Sequence, residues 1–588
     1  MRAARISPKV RLPSRNYAVA ETACLQGCHT GFIGYSLFVV GLRGFSLGTF
    51  ITQKGGISMN QLSAKSKLLA NRWALAACSM IMIAALVLTI SGLVEAAGKR
   101  GGALRMTMPT DLTQLDLHQT SAEIDNAVLG MTVYETLFTY DGKNNIKPFL
   151  VESYEFGNDG LLVTLNLKKG VKFHNGEEMT AEDVKFSLDR VRDDKLPGFH
   201  VNNLKKVTEV KITGPYQVQL VLSAKMANLL NYLATDVGTI AIMNKKDLQT
   251  NDNKVAKPVG TGPYMWRQWV KDSKVVLERF DGYSSADGPV DGMLGKRQQY
   301  VDRLEYYIMK EPATRIMALD KGDVDFTSIL PYHMIDDLKK RDDVTVYSAL
   351  PPDAVWYMYY VNFNHPILAD VNFRKAMAYA LDRGEITQAA VWGYGTPTFS
   401  VISPSLPAYT PDLEKMAPSY DPEKAQAFLK KSNYKGEKIK ILTSKNYTPM
   451  YDQVVAAQAM WAAVGINTEI EIVDWATHLA RWKKAEHEIL SFAMIGRMNP
   501  VAQTWNLSSG NFYGYKNAKI DELRAKMNDT VDLEERNRLF REIYKITCED
   551  VPYMINFYIN NTGAYKKNLK GFVDYDAYRT RLWNLYLE

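Results

Sequence analysis

The chain has 588 residues, 46% of them hydrophobic and 23% charged, and a formal net charge of +7. The excess is local: of 71 Lys+Arg and 64 Asp+Glu, ten basic and two acidic residues fall in 1–96, leaving 61 against 62 in the remainder. The main body therefore offers no basic surface for nucleic acid. Cys24, Cys28 and Cys78 lie before residue 97 and only Cys548 after it, which excludes an internal disulfide in the main body.

Residues 59–96 carry the pattern of a secretory signal. Lys65, Lys67 and Arg72 form a basic start, residues 74–94 are apolar apart from Ser and Thr, and Val94-Glu95-Ala96 fits a small-residue cleavage site. The apolar run is also long enough to span a bilayer, so an uncleaved anchor is the competing reading. Residues 1–58 precede a good start at Met59 and contain one acid, Glu21. They read as a mis-called extension, with an Arg-rich transit peptide as the alternative. The chain beyond residue 96 exceeds one ordinary core and mixes strands with helices, which predicts an α/β protein of two or three domains.

Residues 161–190 read LLVTLNLKKGVKFHNGEEMTAEDVKFSLDR. Leu161, Val163, Leu165 and Leu167 alternate as a strand with one apolar face. Val171 and Phe173 resume the alternation, and Asn175-Gly176 supplies a tight turn. Thr180 and Asp183 form a capping box ahead of a helix with Val184, Leu188 and Val191 on one face. Farther along, residues 370–382 and 454–464 have helical apolar spacing, and residues 466–472 alternate as a strand after Gly465. Asp421-Pro422 and Asp532 start two more helices.

The stretch LNLKKGVKFHNGEEMTAEDVKFSLDR resembles the signature of the extracytoplasmic solute-binding proteins of the peptide/nickel class, family 5, which deliver ligands to ABC importers. Further segments resemble that family in the right order: Tyr134-Glu135-Thr136-Leu137, VGTGPY at 259–264, Leu319 to Asp325, and the run from Tyr360-Val-Asn-Phe-Asn364 through Asp370, Arg374 and Ala380 to Asp382-Arg383. Ser284 departs from it, standing where the family often has Trp after Tyr283.

The resemblance implies a two-lobed, periplasmic-binding-protein-like α/β fold with discontinuous lobes. Lobe one would take 99–135, 257–350 and 553–588, an inserted subdomain 136–256, and lobe two 351–552. Two crossing strands at 356–364 and 554–560 would form the hinge. It further implies a periplasmic monomer that holds a small-molecule or oligopeptide ligand between its lobes and docks on an inner-membrane ABC permease with its ATPase subunits.

The residues themselves do not argue for catalysis. There is no G-x-S-x-G, P-loop or G-x-G-x-x-G, and the histidines after residue 96 (His118, His174, His200, His333, His365, His478 and His487) include no H-x-x-x-H pair. No cofactor or metal is expected. Asp320, Asp323 and Asp325 read as a helix end around Gly322, and His174 as a structural hydrogen-bonding group. A secreted hydrolase and a membrane-anchored sensory or chaperone-like binder are the competing functions.

Aromatic density marks the expected cleft. Trp356 and Tyr357 lie on the first hinge strand, Trp392 and Tyr394 in a Gly-rich loop, and Trp475, Trp505, Asn506 and Tyr513 farther on. On a strand only alternate rings can face one side, so about half of such rings should be core. In peptide-binding relatives an Asp ahead of an "-DP-" segment pairs with the ligand ammonium. The corresponding residues 494–500, MIGRMNP, contain no acid and carry Arg497, which favours a carboxylate or phosphate.

The basic start, apolar run and small-residue site in this order predict translation from Met59 and a mature N-terminus near Ala97. Terminal sequencing of exported protein should read from there. Peptides from 1–58 in the native protein would overturn the start.

Overall fold

The computed structural model describes residues 100–196, 204–234, 239–573 and 581–588. The expected leader at 59–96, the extension at 1–58 and His200 lie outside the described residues. Among the described residues, no helix is long and apolar enough to cross a membrane.

Three larger sheets organise the chain. The first has seven strands, in spatial order Val344–Ala349, Asn561–Lys566, Phe326–Ser328, Ala103–Met108, Arg303–Ile308, Lys274–Arg279 and Tyr264–Val270. Ala103–Met108 runs parallel to both Arg303–Ile308 and Phe326–Ser328. The second has six strands, in order Gly395–Pro397, Tyr553–Ile559, Val355–Val361, Ile489–Ile495, Ile439–Thr443 and Thr468–Ile472. Ile439–Thr443 is parallel to both Thr468–Ile472 and Ile489–Ile495. The third is four-stranded and antiparallel, from Val151–Gly157, Leu162–Leu167, Gln217–Leu222 and Val207–Gly214. Its buried face and the core of the second sheet form one continuous apolar cluster, while the first sheet has a core of its own.

The signature stretch folds as its pattern predicts. Val163, Leu165 and Leu167 turn inward. The capping box closes on helix Ala181–Arg192, with the Thr180 backbone N–H donating to Asp183 at 3.0 Å. Asp421 and Asp532 cap helices Pro422–Lys431 and Leu533–Asp550 by accepting backbone N–H bonds. Gly322, at φ 77°, ends helix Pro312–Lys321, and the Asp325 carboxylate beyond it receives the Arg105 guanidinium at 2.8 Å.

The helix expected over 370–382 is present as Val371–Tyr379, and the Asp382 carboxylate accepts the Glu385 N–H to start a separate helix, Arg383–Val391. Two sequence expectations are corrected. The helix expected from 454 begins at Thr448, with Pro449 in its first turn, where a missing N–H costs nothing. The hinge also moves. Tyr553–Ile559, assigned by sequence to lobe one, pairs along Val355–Val361 inside the second sheet. The chain passes between the first and second sheets instead at 350–354 and at Asn560. Pro351 and Pro352 cannot donate to a ladder, which suits the first crossing to a gap between sheets. At the second, the Asn560 amide donates to Ser348 Oγ at 3.3 Å and its carbonyl oxygen accepts from Thr396 Oγ1 at 3.1 Å.

His174 ties the signature hairpin to the VGTGPY turn. The Gly260 N–H donates to His174 Nδ1 at 3.3 Å, so Nε2 carries the proton and donates to the Gly262 carbonyl at 2.9 Å. Both glycines are forced: a Cβ would lie 2.0 Å from the Val133 carbonyl oxygen at Gly260 and 2.3 Å from that of Thr132 at Gly262. Burial holds the His174 pKa down to about 4 from the usual 6.5. The same cause holds His478 and His487 to about 4.

Unfolding returns these rings to their ordinary affinity, so the unfolded chain takes up protons that the folded chain refuses. Stability should therefore be fully present above pH 6.5 and fall as pH drops toward 4. His174 alone accounts for up to about 3 kcal/mol, since each tenfold loss of proton affinity is worth about 1.4 kcal/mol. Urea melts across this window should show the loss, and His174→Gln should flatten its slope. Equal slopes in both proteins would contradict the assignment.

Candidate functional site

Parallel strands leave their carboxyl ends open to loops, and ligands in open α/β sheets bind there. In the first sheet those ends lead to Met309, Asp111 and Ile329. In the second they lead to residues 444–447, 473–475 and 496–499. Both chain crossings lie between these two sheets, which makes the space they flank the candidate ligand cleft.

A buried polar network sets the second sheet's loops. The Gln453 amide donates to Ser491 Oγ at 2.7 Å, Ser491 Oγ donates to the Met450 carbonyl at 2.7 Å, and Asn556 Nδ2 donates to Gln453 Oε1 at 2.8 Å. The Tyr359 hydroxyl donates to the Gln453 carbonyl at 2.7 Å. Gln453, Ser491 and Asn556 are fully buried, so each bond replaces water that cannot enter. The network locks helix Thr448–Ala463 to three strands and so aims the Tyr447 turn.

Tyr447, 48% exposed, meets the edge of Trp475 with centroids 4.9 Å apart. Trp475 stacks on His478 at 5.2 Å and lies 6.0 Å from Phe492. Tyr357 is buried and stacks on Phe557 with centroids 5.0 Å apart; its phenol pKa is pushed up by burial, with smaller contributions from Tyr332 and Tyr447. Tyr332 comes from the first sheet's side and packs against the core cluster of the second. Sequence reasoning missed Tyr447 and Tyr332. Pro449, marking a helix start beyond a strand end, was the available signal for Tyr447.

The nine residues singled out from sequence separate. Trp475 belongs to the aromatic wall, while Tyr357 is buried against Phe557. Trp356 is buried in the second sheet against Tyr553 and Tyr558, and its indole N–H has no protein partner. Arg497 is half-buried in the loop after Ile489–Ile495. That loop closes tightly on the first crossing: a Cβ on Gly496 would lie 2.7 Å from the Ala354 carbonyl oxygen. Asn499 caps the next helix by accepting the Ala502 N–H at 2.9 Å.

Tyr394 packs into the core beside helix Tyr332–Lys339, donates to Asp336 and accepts from Lys339 Nζ at 3.0 Å. It is a clasp between the two sides rather than part of the wall. Trp392, 54% exposed, caps helix Arg383–Val391 at φ 57° and lies 6.3 Å from His333. Tyr513 and Asn506 are buried with each other, the Tyr513 hydroxyl donating to the Asn506 carbonyl, while Trp505 next to them remains partly exposed.

Comparison with known proteins places this geometry. Residues 145–515 match the model of the bacterial extracellular solute-binding proteins, family 5. The glutathione-binding protein GsiB of Escherichia coli O6:K15:H31 is 26% identical over 482 residues, covering 79% of this chain and 90% of that protein. The oligopeptide-binding protein AppA of Bacillus subtilis is 25% identical over 495 residues, covering 79% and 87%. The solved structure of HbpA2 from Haemophilus parasuis superposes with a TM-score of 0.73 at 22% identity, covering 83% of this chain and all of that one.

Proposed function

Since this chain belongs to the bacterial extracellular solute-binding proteins of family 5, we propose that it captures a peptide-like solute bearing an anionic group between its two lobes and hands it to an ABC permease. It is the solute-binding component of an importer. The observation that carries the choice of cargo is the loop 494–500. It abuts the first crossing through Gly496, contains no acid and supplies Arg497. A guanidinium there attracts a carboxylate and repels an ammonium. The Tyr447–Trp475 wall would cover the remaining apolar surface of the ligand. Glutathione, the ligand in the name of the GsiB relative, has the required chemistry, being a peptide with more carboxylate than ammonium.

A charge-assisted hydrogen bond contributes about 1.5–3 kcal/mol. Arg497→Ala should then weaken glutathione binding roughly 10- to 150-fold, since about 1.4 kcal/mol is a tenfold change. Calorimetry on both proteins decides this. Unchanged affinity in the variant, or tighter binding of dialanine than of glutathione by the unmodified protein, would remove the anionic assignment.

Closure is the second consequence. With crossings at 350–354 and at Asn560, ligand should draw the two sides together. The radius of gyration in solution scattering should fall on saturation with glutathione. Superimposable profiles with and without bound ligand would count against a closing cleft.

A further inference from the structure

Among the described residues two β-branched side chains sit on left-handed backbone, Val551 at φ 49° and Ile329 at φ 56°. For a β-branched residue this conformation is costly, and it persists where the surroundings impose it. Val551 ends helix Leu533–Asp550 and recovers the cost by burying its side chain completely in the core. Ile329 recovers nothing of the kind, since its side chain is 60% exposed.

The backbone of Ile329 is nevertheless firmly held. Its N–H donates to the Thr562 carbonyl at 2.7 Å, and the next N–H, of Leu330, donates to Thr562 Oγ1 at 3.1 Å. Its carbonyl accepts from Arg315 Nη2 at 2.9 Å. Arg315 is buried, and its Nη1 reaches the Met309 and Lys310 carbonyls at 3.0 and 2.9 Å, so one guanidinium joins two strand ends of the first sheet. Thr562 lies two residues beyond the second chain crossing. The fold thus fixes an unfavourable backbone that holds an apolar side chain out into water.

The position suits a ligand contact. Ile329 directly follows Phe326–Ser328 at the carboxyl ends of the parallel strands. Three residues later Tyr332 packs against the core cluster of the second sheet. Across that junction the strand Ile489–Ile495 ends on a second half-exposed apolar residue, Ile495.

We propose that Ile329 is a specificity contact, held outward so that an apolar side chain of the captured peptide packs on it. This rests on the peptide-like cargo inferred above. The backbone cost is retained because any conformation that relaxes it would turn the side chain elsewhere.

The test uses trialanine and trileucine as probes, with Ile329→Asn and Ile329→Gly as variants. Asn and Gly both accept left-handed backbone. The unmodified protein should bind trileucine about 10-fold more tightly than trialanine, the scale of discrimination an apolar pocket reaches. In Ile329→Asn that ratio should fall toward one, while the melting temperature stays level or rises. Ile329→Gly should lose the ratio likewise. An unchanged ratio in both variants overturns the assignment, as does a melting temperature lowered by several degrees in Ile329→Asn, which would mark a packing role. Equal affinities of the unmodified protein for the two tripeptides overturn this assignment alone. Binding of neither overturns the peptide-like reading and this assignment with it.

Discussion

The contact on which most of the chain converges is a buried ion pair. The Arg297 guanidinium donates to Glu135 Oε1 at 3.0 Å, and both side chains are almost fully out of solvent. Burying two charges costs several kcal/mol each, so such a pair persists only when its remaining valences are filled. Most of them are filled, from separate segments, while Arg297 Nε has no hydrogen-bond partner. Tyr283 donates to Glu135 Oε1 at 2.7 Å and Thr261 to Oε2 at 2.8 Å, while the Met293 carbonyl accepts from Arg297 Nη2 at 3.1 Å. Phe149 and Trp583 each have a ring centroid 4.2 Å from the guanidinium carbon. The N-terminal helix region, the insertion, the VGTGPY turn and the C-terminal segment thereby share one centre.

This centre explains why several short motifs occur together. Glu135 of the Tyr-Glu-Thr-Leu segment, Thr261 of the VGTGPY turn and Tyr283 are far apart in sequence but serve one carboxylate. His174 adds the signature hairpin to the same turn through the Gly260 and Gly262 backbone. Even the departure at Ser284 is absorbed locally, its hydroxyl donating to the Gly170 carbonyl at 2.8 Å. The candidate cleft begins where these contacts stop, at the carboxyl ends of the strands.

There the two sides also meet through a set of polar contacts. The Tyr394 clasp onto Asp336 and Lys339, the Asn560 amide and the Gly496 turn against Ala354 all lie close to the crossings. On the insertion side, Asn144 Nδ2 donates to the Ser405 carbonyl at 3.0 Å, and Arg536 donates to the Ala227 carbonyl. Hydrogen bonds of this kind exchange readily with water, which is what relative motion of two lobes requires. The apolar rings of the wall are arranged on one side of that junction and the outward Ile329 on the other.

Local pattern sufficed for much of this. Alternation gave away the strand Leu162–Leu167, and caps at Thr180, Asp421 and Asp532 marked helix starts, because those interactions span only a few residues. The structural role of His174 and the helix end at Gly322 were legible for the same reason. The hinge was displaced, since an aromatic, alternating strand such as Tyr553–Ile559 looks the same whichever sheet it joins; only pairing with Val355–Val361 assigns it. Aromatic density likewise could not tell Trp475, which meets the exposed Tyr447, from Tyr394, which clasps helix Tyr332–Lys339. Side-chain type is written in the sequence, but the direction a ring faces is set by distant partners. Ile329 carried no signal at all: its left-handed backbone is imposed by Thr562 and Arg315, and only the folded chain brings those residues to it.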